Sequence, residues 1–153
     1  SLDGSDAMDP PELTNFGSLV RFAIELEASA SGFYADAERL LDSGPHTRLA
    51  QALAGQHESR RRLLERTRQQ KLNEMLLEPI TGLDGHRYLF DAEVASRDRL
   101  PQKAMALEQV AARFYAESSA VAKSLLTEAA RTFRKLAEEN LQNLSLLRAT
   151  FPV

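Results

Sequence analysis

Two glutamates set the chemistry open to this sequence. Glu27 and Glu108 each fall in an otherwise apolar stripe of helical spacing, and each is followed seven residues later by a tyrosine, Tyr34 and Tyr115. A carboxylate in such a row is costly to bury unless a partner compensates it. Candidate partners lie on two other stretches of the same spacing: Leu53, His57, Arg60 and Leu64, then Phe133, Leu136, Asn140, Asn143 and Leu147. Each carries a polar pair at i and i+3 on the face that should be buried. Two carboxylates, an imidazole, a guanidinium and two amides are therefore expected to converge in one core. That set could hold a metal ion through carboxylate and imidazole, or form a closed network of buried ion pairs and hydrogen bonds. The chain has no cysteine, which excludes a disulfide framework, thiolate-ligated iron or zinc, and a cysteine nucleophile.

The elements that must position these residues are helices. The 153 residues fit one domain, 43% of them are hydrophobic, and only 7 Gly and 6 Pro punctuate the chain. Phe16, Val20, Ala23, Glu27, Ala30, Tyr34, Ala37 and Leu41 alternate steps of four and three, the seam of a helix bundle. Asp42-Ser43-Gly44-Pro45 ends that helix and starts a second, because proline suits a first helical turn; the second should reach about Leu77. Residues 78–100 contain Pro79, Thr81-Gly82 and Asp84-Gly85, and read as a long crossover with a short element around Tyr88 to Asp91. Pro101 opens a third helix, and helical pattern continues to Arg148. A turn is expected in its least apolar stretch, Glu117 to Ser124.

The chain also repeats itself. Residues 23–37, AIELEASASGFYADA, align without gaps on residues 104–118, AMALEQVAARFYAES, with seven identities that include Glu27/Glu108, Phe33/Phe114 and Tyr34/Tyr115. A weaker match sets residues 53–64 against 136–147. The repeated unit is a helix pair, and two such hairpins joined by a long crossover predict an all-α four-helix bundle with pseudo-twofold symmetry.

On these residues the chain resembles the rubrerythrin-like branch of the ferritin-like, di-iron carboxylate superfamily. AIELEASASGFY and AMALEQVAARFY both fit the family's signature of a small residue, an aliphatic, a Glu and then Phe-Tyr. Leu53-Ala54 and Leu136-Ala137 match the start of its Leu-Ala-x-x-Glu-x-x-His partner helices. The resemblance implies a ferritin-like bundle over roughly Phe16 to Leu147. It also implies that His57 and Asn140 stand where the family has Glu, and Arg60 and Asn143 where it has His. Four of six ligand positions are changed. In the family those ligands hold two metal ions for oxygen, peroxide or iron chemistry. Here Asn is a poor ligand for iron, and Arg60 puts a fixed positive charge where a dication would sit.

Three readings follow. In the first, the bundle is metal-free, with no cofactor and no catalytic residue: Arg60 is the counter-charge to Glu27 and Glu108, the amides satisfy the rest, and the protein is a structural or interaction module. In the second, a metal-binding oxidoreductase holds one iron or manganese through Glu27, His57 and Glu108, with Glu139 as an optional further ligand. In the third, a helix rotation recruits Glu58, Glu138 or Glu139 to a full di-metal site. Tyr34 and Tyr115 are expected as supports whose hydroxyls bond the buried carboxylates rather than as radical residues.

The remaining features have plainer expectations. Arg60, Arg61, Arg62, Arg66, Arg68 and Lys71 make the second helix basic. However, i,i+4 pairs such as Glu58–Arg62 and Arg61–Glu65, with a formal net charge of −3, favour a solvated face over nucleic-acid binding. His46 is assigned solvent contact only, while His86 and Tyr88 could cover one end of the bundle or merely connect. No apolar run reaches membrane length and the acidic N-terminus is unlike a signal peptide, so a cytoplasmic protein is expected. Residues 1–14 are expected to be a disordered lead-in and 15–153 the bundle domain. The bundle should pair into a homodimer or higher homo-oligomer through outward Phe22, Phe33 and Phe114.

Overall fold

The computed structural model describes residues 9–42, 44–70, 73–122 and 126–152. Four long helices carry the fold: α1 (Phe16–Leu40), α2 (Gly44–Gln70), α3 (Leu100–Ala122) and α4 (Thr127–Thr150). They make an all-α four-helix bundle of two antiparallel hairpins, α1–α2 and α3–α4, with no strand among the described residues. A single helical turn, Asn73–Leu76, and two 3-10 turns, Gly85–Tyr88 and Arg97–Arg99, lie in the connection between the hairpins.

α1 begins where the sequence offers a cap. The Asn15 side chain accepts the Ser18 N–H at 2.7 Å and the Ser18 hydroxyl oxygen accepts the Asn15 N–H at 3.1 Å, a reciprocal capping box. The first turn of α1 is tied to the end of the first hairpin, since Phe16 N–H donates to Glu78 O and Ile80 N–H to Thr14 O. From there the crossover runs the length of the bundle to the opposite end, where Arg97 pairs with Asp42 in the α1–α2 turn at 2.8 Å. A connection of that length makes α2 and α3 parallel, which brings the two glutamate-bearing helices together antiparallel. His46 in the first turn of α2 meets Thr150 O at the end of α4 at 3.1 Å and packs on Phe151, with ring centroids 4.2 Å apart. This half-buried histidine closes one end of the bundle and is not simply in solvent contact.

Several boundaries differ from the sequence expectation. α2 is described to Gln70, residues 71–72 lie outside the described residues, and helix is present again at Asn73–Leu76, next to the expected end at Leu77. The short element of the crossover falls at Gly85–Tyr88 rather than around Tyr88 to Asp91, opened by Asp84, whose side chain accepts the His86 N–H. α3 is helical to Ala122, which covers Glu117 to Ala122 of the stretch expected to hold the turn. Ser118 and Ser119 are buried in it, and the Ser119 hydroxyl donates to Ala130 O on α4 at 2.7 Å, so the serines serve helix packing rather than a break. The rest of the expected stretch, Lys123 and Ser124, lies outside the described residues, and α4 begins at Thr127.

Of the expected lead-in, residues 1–8 lie outside the described residues and 9–14 lie against the bundle. Leu13 is buried, and the Pro11 carbonyl sits so close to Gly85 that a Cβ there would collide with it. The phenylalanines expected to mediate self-association are corrected too: Phe22, Phe33 and Phe114 are core residues, at most 4% exposed. The crossover covers their face. Tyr88, fully buried, packs its ring against Phe22 and Phe114 at centroid distances of 6.4 and 5.2 Å, while its hydroxyl donates to Glu117 at 2.5 Å. His86 points away, exposed and bonded to Asp84, so only Tyr88 acts as the cover. The exposed large apolar residues of α4 are Leu141 and Leu146.

Candidate functional site

The two hairpins stand farther apart than the helices within each, and the gap at mid-bundle is filled by long polar side chains. Glu27 and His57 come from the first hairpin with Arg60; Glu108, Asn140 and Asn143 come from the second. All six are buried, with Glu27, His57, Glu108 and Asn140 at 0% exposure. His57 is the centre. Its Nδ1 lies 2.5 Å from Glu27 Oε1 and its Nε2 lies 2.8 Å from Glu108 Oε2.

A neutral imidazole has one N–H and one lone pair, so it can donate to only one of two carboxylates. The position of His57 between both calls for the imidazolium, donating from each nitrogen. Burial opposes that charge, but the hydrogen bonds and attraction of Glu108 and Glu27 outweigh it and raise the His57 pKa to about 9. The same contacts act in reverse on Glu108: burial pushes its carboxyl up, and His57, Tyr34 and Asn140 pull it below the usual carboxylate range.

The tyrosines cross between the repeats. The Tyr34 hydroxyl on α1 donates to Glu108 Oε2 at 2.7 Å, and the Tyr115 hydroxyl on α3 donates to Glu27 Oε2 at 2.5 Å. Burial and the adjacent carboxylates hold both phenols well above their ordinary pKa, so they remain donors. The pseudo-twofold symmetry extends to the remaining polar groups. Arg60 Nη2 lies 3.4 Å from Glu27 Oε2, and Asn143 Nδ2 donates to Glu108 Oε1 at 3.1 Å, each within its own hairpin. Asn140 links the halves: its Nδ2 donates to Glu108 Oε1 at 2.7 Å, and its Oδ1 accepts from Arg60 Nη2 at 2.8 Å. Arg60 also lies over the Tyr115 ring, 5.2 Å from its centroid, in a cation–π contact.

The result is a charge-balanced cluster of two carboxylates and two cations. The sequence expectation gave the counter-charge role to Arg60; the structure gives the larger share to His57, which bonds both glutamates while Arg60 approaches one at longer range. Gln56, which sequence reasoning did not single out, accepts an Asn143 N–H at 2.6 Å. Its position beside His57 on α2 is the only signal that marks it.

A metal pair does not fit these side chains. Both imidazole nitrogens face carboxylates, the Asn140 and Asn143 amides aim N–H groups at Glu108, and a guanidinium occupies the Glu27 side, so donors stand where ligand lone pairs would be needed. Glu58 is engaged on the outer surface by Arg61 and Arg62, Glu138 is exposed, and Glu139 lines a surface groove, so none of the alternative ligands joins the cluster. Among the described residues no three His, Asp or Glu side chains are arranged to hold a metal ion. Among the same residues no helix is long and apolar enough to cross a membrane.

Comparison of the chain with protein-family models, with curated proteins and with solved structures finds no match.

The imidazolium has a measurable consequence. A group whose pKa is raised on folding stabilises fully below its unfolded pKa and loses that contribution as pH climbs through the folded value. For His57 the window runs from the ordinary value of 6.5 to about 9. Stability from urea denaturation should therefore fall by about 1.4 kcal/mol per pH unit across this window, on the order of 3 kcal/mol in all. A flat profile would mean that His57 is neutral and donates to one glutamate only.

Proposed function

We propose that this protein is a divergent relative of the rubrerythrin-like, ferritin-like carboxylate proteins in which a buried ionic network has taken the place of two metal ions, and that it works as a structural or interaction module rather than an oxidoreductase. The single observation that carries this reading is His57 between Glu27 and Glu108, with a carboxylate oxygen on each ring nitrogen. A cation in that place neutralises two carboxylates as bridging metal would, but offers no open coordination position for a substrate. The doubled Glu-Phe-Tyr signature supports the ancestry, and the crossed Tyr–Glu bonds support an arrangement in which both halves of the repeat serve one centre. On this reading the protein is cytoplasmic and its partners are other proteins, self-association included. The negative net charge and the ion-paired basic face of α2 speak against nucleic acid.

Protein purified without chelator should hold well under two metal ions per chain by elemental analysis. Close to two irons or manganeses per chain would overturn the reading. A single ion lost on His57→Ala would instead support a mononuclear oxidoreductase built on Glu27, His57 and Glu108.

A further inference from the structure

Arg60 uses only part of its hydrogen-bonding capacity. Its Nη2 makes every polar contact to the cluster, to Asn140, Leu136 O and Glu27, whereas Nε and Nη1 are buried and have no partner. Buried guanidinium N–H groups without acceptors are costly, and protein interiors rarely leave them so. The side chain is 95% buried, yet it also lines a surface groove of about 420 Å³ between α2 and α4, on the flank that the crossover leaves uncovered. The groove carries Arg66 and Lys135 as further cations, Ser59 and Thr132 as hydroxyl donors, and Glu139 as its one acid. Even with Arg60 counted against Glu27, positive charge exceeds negative there.

From the unpartnered Arg60 nitrogens beneath a basic, hydroxyl-bearing groove, we infer that the α2–α4 groove binds the phosphate group of a small phosphorylated molecule. The phosphate oxygens supply the acceptors that Arg60 lacks. Nε and Nη1 are buried, so an anion reaches them only by displacing the side chains that cover them, and the flexible Arg66 and Lys135 beside Arg60 in the groove then close their charged ends over it. Three cations and two hydroxyls suit a tetrahedral dianion better than a planar carboxylate, and the volume leaves room for a substituent on the phosphate. The site would connect a ligand on the surface to the buried ionic cluster through one residue. It depends on where Arg60 lies and is independent of the protein's ancestry or metal content.

The test is titration of isotopically labelled protein with inorganic phosphate at constant ionic strength, following the Arg60 Nε–H resonance by NMR. The expected result is a saturable shift with a Kd on the order of 1 mM, weakened at least ~10-fold by the double variant Arg66→Ala/Lys135→Ala and tightened about 3-fold by Glu139→Gln. These are surface positions, so thermal unfolding of the variants should stay close to that of the parent. Sulfate should compete and acetate should compete poorly; the reverse order would overturn the phosphate assignment. The proposal also fails if the Arg60 resonance does not move, if sodium chloride reproduces the shift, or if the double variant binds as the parent does.

Discussion

His57→Ala should destabilise the bundle by about 3–5 kcal/mol at pH 7, the penalty for removing one member of a buried charge network and leaving its partners uncompensated. The side chain is fully buried and, among the described residues, is the only group that bonds both Glu27 and Glu108. Without it, two carboxylates face each other across a cavity, and Arg60, 3.4 Å from Glu27, is left as the one nearby cation. With a denaturant slope of roughly 2 kcal/mol per molar urea, the loss would move the unfolding midpoint by about 1.5–2.5 M. An exposed ion pair would cost about 1 kcal/mol or less, and a result in that range would mean that the imidazole is not the bridge described above.

A cavity alone could account for part of such a loss, and pH separates the two causes. In the variant, like charges in a dry site raise at least one carboxyl above its unfolded pKa. A raised pKa favours the folded state at low pH, so the variant should recover stability as pH falls from 7 to 5; a cavity penalty would not respond. Adding Glu108→Gln to His57→Ala removes one of the opposed charges and should make the double variant more stable than the single one at pH 7. Such non-additivity is the mark of residues that act as one network.

How much of this was legible in sequence follows from what side-chain spacing encodes. Stripes at steps of three and four fix which face of a helix is buried, and they put Glu27, His57, Arg60, Glu108, Asn140 and Asn143 on buried faces because a polar residue in an apolar seam has nowhere else to point. The gap-free repeat of residues 23–37 and 104–118 then pairs the hairpins. Spacing does not say how a side chain divides its bonds inside the core. Arg60 has the permanent charge, and the expectation gave it the compensating role, yet its guanidinium divides its bonds among Asn140, Leu136 O and Glu27 and does not reach Glu108. The compact imidazole of His57 fits between them.

The aromatic residues show a second limit. Phe22, Phe33 and Phe114 lie beside the seam, and whether such positions face solvent, a partner or another segment is decided by the crossover. Its many turn residues hide the fact that Tyr88, Phe90 and Val94 pack on the bundle. Ser118 and Ser119, at the start of the stretch expected to hold the turn, are helical for a related reason. Their intrinsic preference for turns is weak beside the burial of the helix face they occupy, and a helix in close contact can use a serine hydroxyl on its neighbour's backbone.

The reversal of four substitutions tests whether this core descends from a metal site. With His57→Glu, Arg60→His, Asn140→Glu and Asn143→His, each of α2 and α4 regains a carboxylate and an imidazole at i and i+3, facing Glu27 and Glu108. The positions suit the exchange, since in the parent each of the four side chains already reaches one of those glutamates. Without metal the variant holds four core carboxylates and has lost the permanent cation of Arg60, so repulsion and desolvation should leave it far less stable than the parent. Ferrous iron or manganese should restore it. An ion that binds only the folded state stabilises by RT ln(1 + [L]/Kd), about 2.7 kcal/mol at a hundredfold excess over Kd, so the melting temperature should climb with metal concentration while the parent responds little. Elemental analysis of the restored variant should approach two ions per chain. A quadruple variant that folds stably and ignores metal would show that the six positions do not make a di-metal geometry. The ancestry proposed for the cluster would then fall, while the four-helix bundle and its His57 bridge would stand.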